Sequence, residues 1–284
     1  MRSRVSGALA LVLVFAAPPL AAQDTIRVAT WNLESGGADE LVLSDQLAAI
    51  EGIDVWGFSE VSPDAGPTLE VGAELGGAAD FEWIMSRTGG GDRLMIAFDA
   101  ELLELLDTME LDSINSPALN HRSPLVARFR IRDSGLVFLF VVNHFARRDA
   151  RLRLEQANRF KAWVRAQTDP VVAVGDYNLD WVPPDGASRD AAFDELLGGD
   201  VLRWVRPADL VRTQCTVTPE GGCRFDSILD FVLLGGRASC WSGLSRILVR
   251  PGDFPHDETT SDHRPVVADL TARSCDEGAS PIIR

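Results

Sequence analysis

Polar residues recur where apolar runs end in this chain: Asn32, Glu60, Asn143-His144, Asp176-Tyr177-Asn178 and Asp262-His263. Their chemistry is complementary. A carboxylate such as Glu60 with oxygen-bearing neighbours suits a hard divalent cation, which keeps water and binds substrate oxygens. An aspartate with an asparagine two residues on, as in Asp176 and Asn178, can orient a water and hold an oxyanion. A histidine held by a buried aspartate can polarise a reacting group or move a proton. Together these are the parts for in-line displacement at phosphorus: a metal, a positioned water and donors for the equatorial oxygens. Singly, each is also an ordinary turn or cap residue. Asp176 and Asn178 read equally as Asx-turn residues, Asp262 as a cap before Pro265, and His144 as a satisfied half-buried histidine. Their recurrence together, in an acidic chain with four histidines, carries the argument.

The elements that must position them are mostly strands. Ile26–Leu33 is β-branched at its start and alternates, and Val55–Glu60 is a short buried run ending in a carboxylate. Leu94–Asp99, Leu125–Arg132 and Leu136–Val142 continue as strands, the last two joined as a hairpin through Asp133-Ser134-Gly135. Leu41–Glu51 has helical spacing with Gly52 as a stop, and Ala150–Gln167 has an apolar face opposite its arginines and Glu155. Val171–Gly175 reads as a buried strand after which Asp176 opens a loop. Ile228–Leu234 and Pro265–Leu270 close the set. Hairpins mixed with β-α-β steps predict an α/β (α+β) sandwich rather than a parallel doubly wound sheet.

Arg2 and Arg4, the apolar run Ala8–Ala17 and the small-residue exit at Ala21-Ala22 read as a secretory signal peptide, residues 1–22, cleaved after Ala22. The apolar run is too short for a comfortable membrane span, and no later run approaches the ~20 residues needed. Residues 23–284 are expected to form a single catalytic domain, monomeric and secreted or periplasmic. The four cysteines fit an oxidising compartment, with Cys215–Cys223 and Cys240–Cys275 the expected pairs. A zinc site is the competing reading, disfavoured because no C-x-x-C and no nearby histidine pair occur. The formal charge of −15 becomes −17 once Arg2 and Arg4 are removed. Such a chain repels polyanions at long range, so any phosphate recognition must be local.

Six segments, in order, resemble the endonuclease/exonuclease/phosphatase superfamily: Ala29-Thr30-Trp31-Asn32, Phe58-Ser59-Glu60-Val61, Val142-Asn143-His144, Gly175-Asp176-Tyr177-Asn178, Ile228-Leu229-Asp230-Phe231-Val232 and Thr260-Ser261-Asp262-His263-Arg264-Pro265. The resemblance implies a DNase I-like four-layer fold, two mixed sheets face to face with helices outside. It implies Mg²⁺ (or Mn²⁺ or Ca²⁺) held by Glu60 with Asp262 and Asn32. Asn32, Asn178 and Arg122 would bind the substrate phosphate. Asp176 would orient or deprotonate the attacking water. His263 would stabilise the transition state, held in its tautomer by Asp230. His144 would protonate the leaving oxygen or bind phosphate, with Asp92 as its acidic partner. The loop after His144 carries Arg147, Arg148, Arg151 and Arg153, which would either meet a polyanion or decorate a solvated face.

The expected activity is hydrolysis of a phosphodiester, in DNA or RNA, with no stable membrane insertion. A lipid or small-molecule phosphoesterase, sphingomyelinase- or inositol-phosphatase-like, is the main alternative, and the acidic surface favours it. Trp204 and Trp241 are the only aromatic candidates for a membrane-contact loop, and both read better as core. A non-catalytic binding protein of the same fold should lack at least one of Glu60, Asp176 or His263, and all three are present.

Overall fold

Period-two alternation of side chains sets the layers. A computed structural model describes residues 24–115, 122–254 and 259–273. In β1 (Thr25–Asn32) and β2 (Val55–Val61), Ile26, Val28 and Val55 face a core shared with the second sheet, while Ala29, Trp31, Trp56 and Phe58 face the other way. Both faces are covered, which is why these strands are apolar throughout. The outer face of this sheet is covered by α1 (Glu40–Ala48) and α2 (Gly66–Gly77), through Leu43, Leu47, Leu69 and Ala73.

The first sheet is completed by β3 (Phe81–Met85), β4 (Arg93–Asp99), β11 (Ser242–Ile247) and β12 (Val266–Thr271), in the order β11-β12-β1-β2-β4-β3. The second contains β5 (Leu103–Glu110), β6 (Leu125–Ile131), β7 (Val137–His144), β8 (Val171–Trp181), β9 (Leu202–Trp204) and β10 (Ile228–Gly235), ordered β5-β6-β7-β8-β10-β9. Outside it lie α3 (Ala150–Arg165) and α4 (Ala191–Leu197), with Ala157, Phe160, Val164 and Leu196 turned inward. This is the two-sheet sandwich with outer helices.

Each sheet has one parallel pair. β1 runs with β2 and β7 runs with β8, in registers Asn32↔Ser59 and His144↔Asp176; every other pairing is antiparallel. The C-terminal ends of both pairs therefore bring Asn32, Glu60, His144 and Asp176 to one edge of the sandwich.

Several local expectations need correction. The chain does not leave the sheet at Asp176: β8 runs on to Trp181, because β10 continues as its partner through Asp230↔Asp176 and Ile228↔Trp181 with a bulge between. Arg153 is not on a solvated face. It is 4 % exposed, donates to the carbonyls of Ala146 and Arg147, and pairs with Asp190. The Cys215–Cys223 disulfide is formed. Cys275, and hence the second expected pair, lies outside the described residues, as does the expected signal peptide. Trp241 is buried and Trp204 packs against the core. Among the described residues no helix is long and apolar enough to cross a membrane.

Candidate active site

The site begins with the latch between β1 and the loop before β12. Ser261 Oγ donates to the Asn32 carbonyl (2.5 Å) and accepts from the His263 amide (2.9 Å), while Trp31 Nε1 donates to the His263 carbonyl (2.9 Å). These buried bonds set Asp262 and His263 against the end of β1, although more than two hundred residues separate them in sequence.

Around that latch two carboxylates from different sheets converge. The Asn32 side-chain amide donates to Glu60 Oε1 (3.2 Å) and to Asp176 Oδ2 (3.1 Å). His144 Nε2 lies 3.5 Å from both of those oxygens. Glu60, His144 and Asp176 each offer one ligand atom within 4.8 Å of the others. Glu60 has a φ of +53°, an uncommon backbone state for a side chain of this kind, and it interrupts the β2–β4 register. That irregularity accompanies a change of face: Glu60 lines the cleft while Val61 stays buried in the core under the helices.

Behind them, the Asp230 carboxylate accepts from His263 Nδ1 at 2.8 Å, with Asp230 1 % and His263 5 % exposed. The bond leaves Nε2 to face the cleft, 4.0 Å from Asp176 Oδ2 and 3.7 Å from Asp262 Oδ1. Burial alone lowers the imidazole's pKa, but the charge and hydrogen bond of Asp230, then Asp176 and Asp262, push it up to about 10. Asp176 moves the same way for a different reason. Burial raises it, His263 opposes, Asp230 and Glu60 raise it further, and it reaches about 7. Its Oδ1 accepts from the Asn178 amide at 2.9 Å, and Asn178 Nδ2 donates to the Phe145 carbonyl. Asn143 donates to the Tyr177 hydroxyl at 3.0 Å, which packs the β7 and β8 ends together.

The cleft has a volume of about 260 Å³, and Glu34, Glu60, Asp92, Asp176 and Asp262 all line it. An anion entering so acidic a space needs a cation beside it. The donor set fits one: two carboxylates and an imidazole at close range could hold a divalent cation.

Three expected placements differ from this geometry. Asn32 presents its NH₂ to the cluster, because its Oδ1 accepts from the Glu34 amide at 3.0 Å. It therefore stands as a donor between carboxylates. Asp262 lines the cleft but is outside the Glu60–His144–Asp176 group; its Oδ2 accepts from Gln214 (2.6 Å) and Thr216 (3.2 Å). Asp92 does not partner His144. It accepts from Ser35 and from Arg122 Nη2 (3.3 Å), because the 89–92 turn carries it to the β1 loop. Arg122, with its side chain 15 % exposed, stands 3.9 Å from Glu60, and its buried Nε has no hydrogen-bond partner among the described residues.

Two residues that the sequence reading did not place in the site belong to it. Glu34 accepts from the Asp262 amide at 2.9 Å; burial first, then Asp262, raise its pKa to about 7. Gln214 orients Asp262. Glu34 lies two residues past Asn32 and could have been suspected from proximity, whereas nothing in the sequence marks Gln214.

No protein-family model matches the chain, and no curated protein matches it. Solved structures do. An endonuclease/exonuclease/phosphatase family protein from Bacteroides thetaiotaomicron superposes with a TM-score of 0.69 at 16 % identity, covering 88 % of this chain and 99 % of that one. This chain has the endonuclease/exonuclease/phosphatase fold. The mannosyl-6-phosphatase Bt3783 of Bacteroides thetaiotaomicron is similar at TM-score 0.64 and 18 % identity, covering 86 % and 99 %. D. rerio TDP2 complexed with a single-strand DNA product is similar at TM-score 0.65 and 16 % identity, covering 87 % and 99 %.

Proposed function

We propose that the chain is an exported, divalent-metal-dependent phosphoesterase that hydrolyses a phosphodiester, with nucleic acid as its preferred substrate. The observation that carries this reading is the convergence of Glu60, Asp176, His144 and His263 on one acidic cleft, with Asp230 behind His263. Glu60 would be the main ligand of the cation, which would supply positive charge against the phosphoryl oxygens and leave Asp176 and His144 for proton transfer.

The chain's own residues divide the remaining work. Asp176, raised toward neutrality and fixed through Oδ1 by Asn178, is placed to orient a water and accept its proton. His263, kept charged by Asp230, donates from Nε2 to an equatorial oxygen as charge builds there. Asn32 and Arg122 add donors on the Glu60 side. His144 Nε2 faces the same point from β7 and is placed to protonate the leaving oxygen.

A second reading, hydrolysis of a small sugar or lipid phosphoester, is favoured by the net charge of −15 and by the likeness to a mannosyl-6-phosphatase. The assay is hydrolysis of single-stranded DNA, a bis-nitrophenyl diester, a sugar monophosphate and sphingomyelin, each with Mg²⁺ or Mn²⁺. Glu60→Ala and His263→Ala should each lower turnover by about 10³-fold or more. Full activity in EDTA would reject the metal-dependent reading, and turnover confined to the monoester or to sphingomyelin would select the second one.

A further inference from the structure

At the rim of the cleft, Arg147 leads away from the catalytic edge onto an exposed aromatic residue. Arg147 lines the cleft together with Asp176, Asn178 and His263. Its guanidinium carbon lies over the Phe225 ring, 5.6 Å from the centroid, and that of Arg224 lies over the same ring at 5.4 Å. Phe225 is 37 % exposed, an unusual state for a phenyl group in a chain whose other large aromatics are mostly buried. Neither arginine has a carboxylate within ion-pair distance among the described residues, while Arg27, Arg122, Arg128, Arg130, Arg153 and Arg264 all do.

Both sides of this platform are held. The Arg147 backbone is fixed from below by buried Arg153, which donates to the carbonyls of Ala146 (2.6 Å) and Arg147 (2.9 Å). The segment carrying Phe225 is closed by the Cys215–Cys223 disulfide and by the Arg224 amide bond to the Thr216 carbonyl. Arg147 has only the longer-range attraction of Asp180, whereas in a strongly acidic protein surface guanidiniums would ordinarily be neutralised by carboxylates in direct contact. A guanidinium stacked on a ring keeps its donors at the edge for phosphate, while its plane and the ring accept a flat group.

We infer that Arg147, Arg224 and Phe225 form a substrate subsite that takes a nucleobase and its flanking phosphates, so that the diester is presented as single-stranded nucleic acid. This inference rests on the phosphodiesterase reading above and specifies its substrate. The exposed phenyl favours a base over a bare sugar phosphate, because stacking is sequence-tolerant and adds affinity for each base. The paired cations supply local phosphate recognition in a chain whose overall charge opposes polyanions.

The test is binding of a fluorescent, hydrolysis-resistant phosphorothioate oligonucleotide to the mature chain with Mg²⁺, followed by anisotropy over a range of salt. Phe225→Ala should weaken binding about tenfold, and Phe225→Trp should retain it. Arg147→Ala and Arg224→Ala should each reduce the slope of log affinity against log salt by about 0.7. Arg165→Ala, on the exposed last turn of α3, should change neither. Hydrolysis of the bis-nitrophenyl diester, measured in parallel, reports the reaction independently of the subsite. Oligonucleotide binding that is absent, or indifferent to Phe225 and both arginines, overturns the subsite even where the small diester is cleaved. Phe225-dependent binding without any diester hydrolysis would uphold the subsite and overturn the reaction.

Discussion

Replacing Asp230 by asparagine isolates the counter-charge behind His263. Asp230 is fully buried, His263 nearly so, and a 2.8 Å bond joins them. Asparagine keeps the shape and offers an oxygen to the Nδ1 proton, so the perturbation is chiefly electrostatic. Removing one partner of a buried ion pair costs ~3–5 kcal/mol, because the other charge is left uncompensated. Asp176 and Asp262, at 4.0 and 3.7 Å from Nε2, remain and offset part of that. A net effect of ~3 kcal/mol corresponds to roughly two pKa units. His263 is raised to about 10, so its charged form persists through neutral pH and is lost only as pH rises through that value. In Asp230→Asn the loss should begin about two units lower. The direct assay is an NMR titration of the His263 ring in metal-free protein, wild type against variant. Diester turnover should show the same displacement: the variant's deficit should be smallest near about pH 6 and grow toward about pH 9, reaching tenfold or more there. An unchanged His263 midpoint, or a deficit independent of pH, would refute the electrostatic role assigned to Asp230.

Three further outcomes concern the scaffold. Burial raises Asp54 to about 6 despite its bond from the Arg27 amide, so the stabilisation is complete below about pH 4 and is lost as pH rises through about 6. Asp54→Asn, which keeps the acceptor, should flatten that dependence and exceed wild type by roughly 2 kcal/mol in urea denaturation above neutrality; a variant no more stable there counts against it. Gly175 has a φ of +135°, and an added Cβ would fall 2.0 Å from the Asn143 carbonyl oxygen, so Gly175→Ala should cost more than ~3 kcal/mol or abolish soluble folding. Near-normal denaturation would show that the β7–β8 end can relax. Cys215→Ser opens a loop of sequence separation 8 and should lower stability by about 2.5 kcal/mol, read as a drop in Tm; an unchanged Tm would mean the loop is held by its other bonds.

Legibility followed burial. The strands bearing Asn32, Glu60, His144 and Asp230 were readable because each is a continuous apolar run covered on both faces. β5 was not, since its Glu104, Asp107, Thr108 and Glu110 leave half of an edge strand in solvent. α2 was hidden by its own glycines. Gly72 and Gly76 weaken helical propensity, but a Cβ there would meet the Ser44 and Leu47 carbonyls at 2.6 and 2.7 Å, so close packing on α1 requires them.

By itself the sequence determined the reaction chemistry on offer and the order of the segments that hold it. Residue type fixes what a carboxylate or imidazole can do, and apolar runs ending in those residues fix where along the chain they stand. Only the tertiary structure decided which of them share a cleft and in what role. Asn32 became a donor because the Glu34 amide claimed its oxygen, Asp92 went to Arg122 rather than His144, and Gln214 acquired Asp262 as a partner. The first is a local turn contact two residues long, but the other two join residues 30 and 48 positions apart, brought together by sheet register and by the latch at Ser261, and no local pattern encodes them.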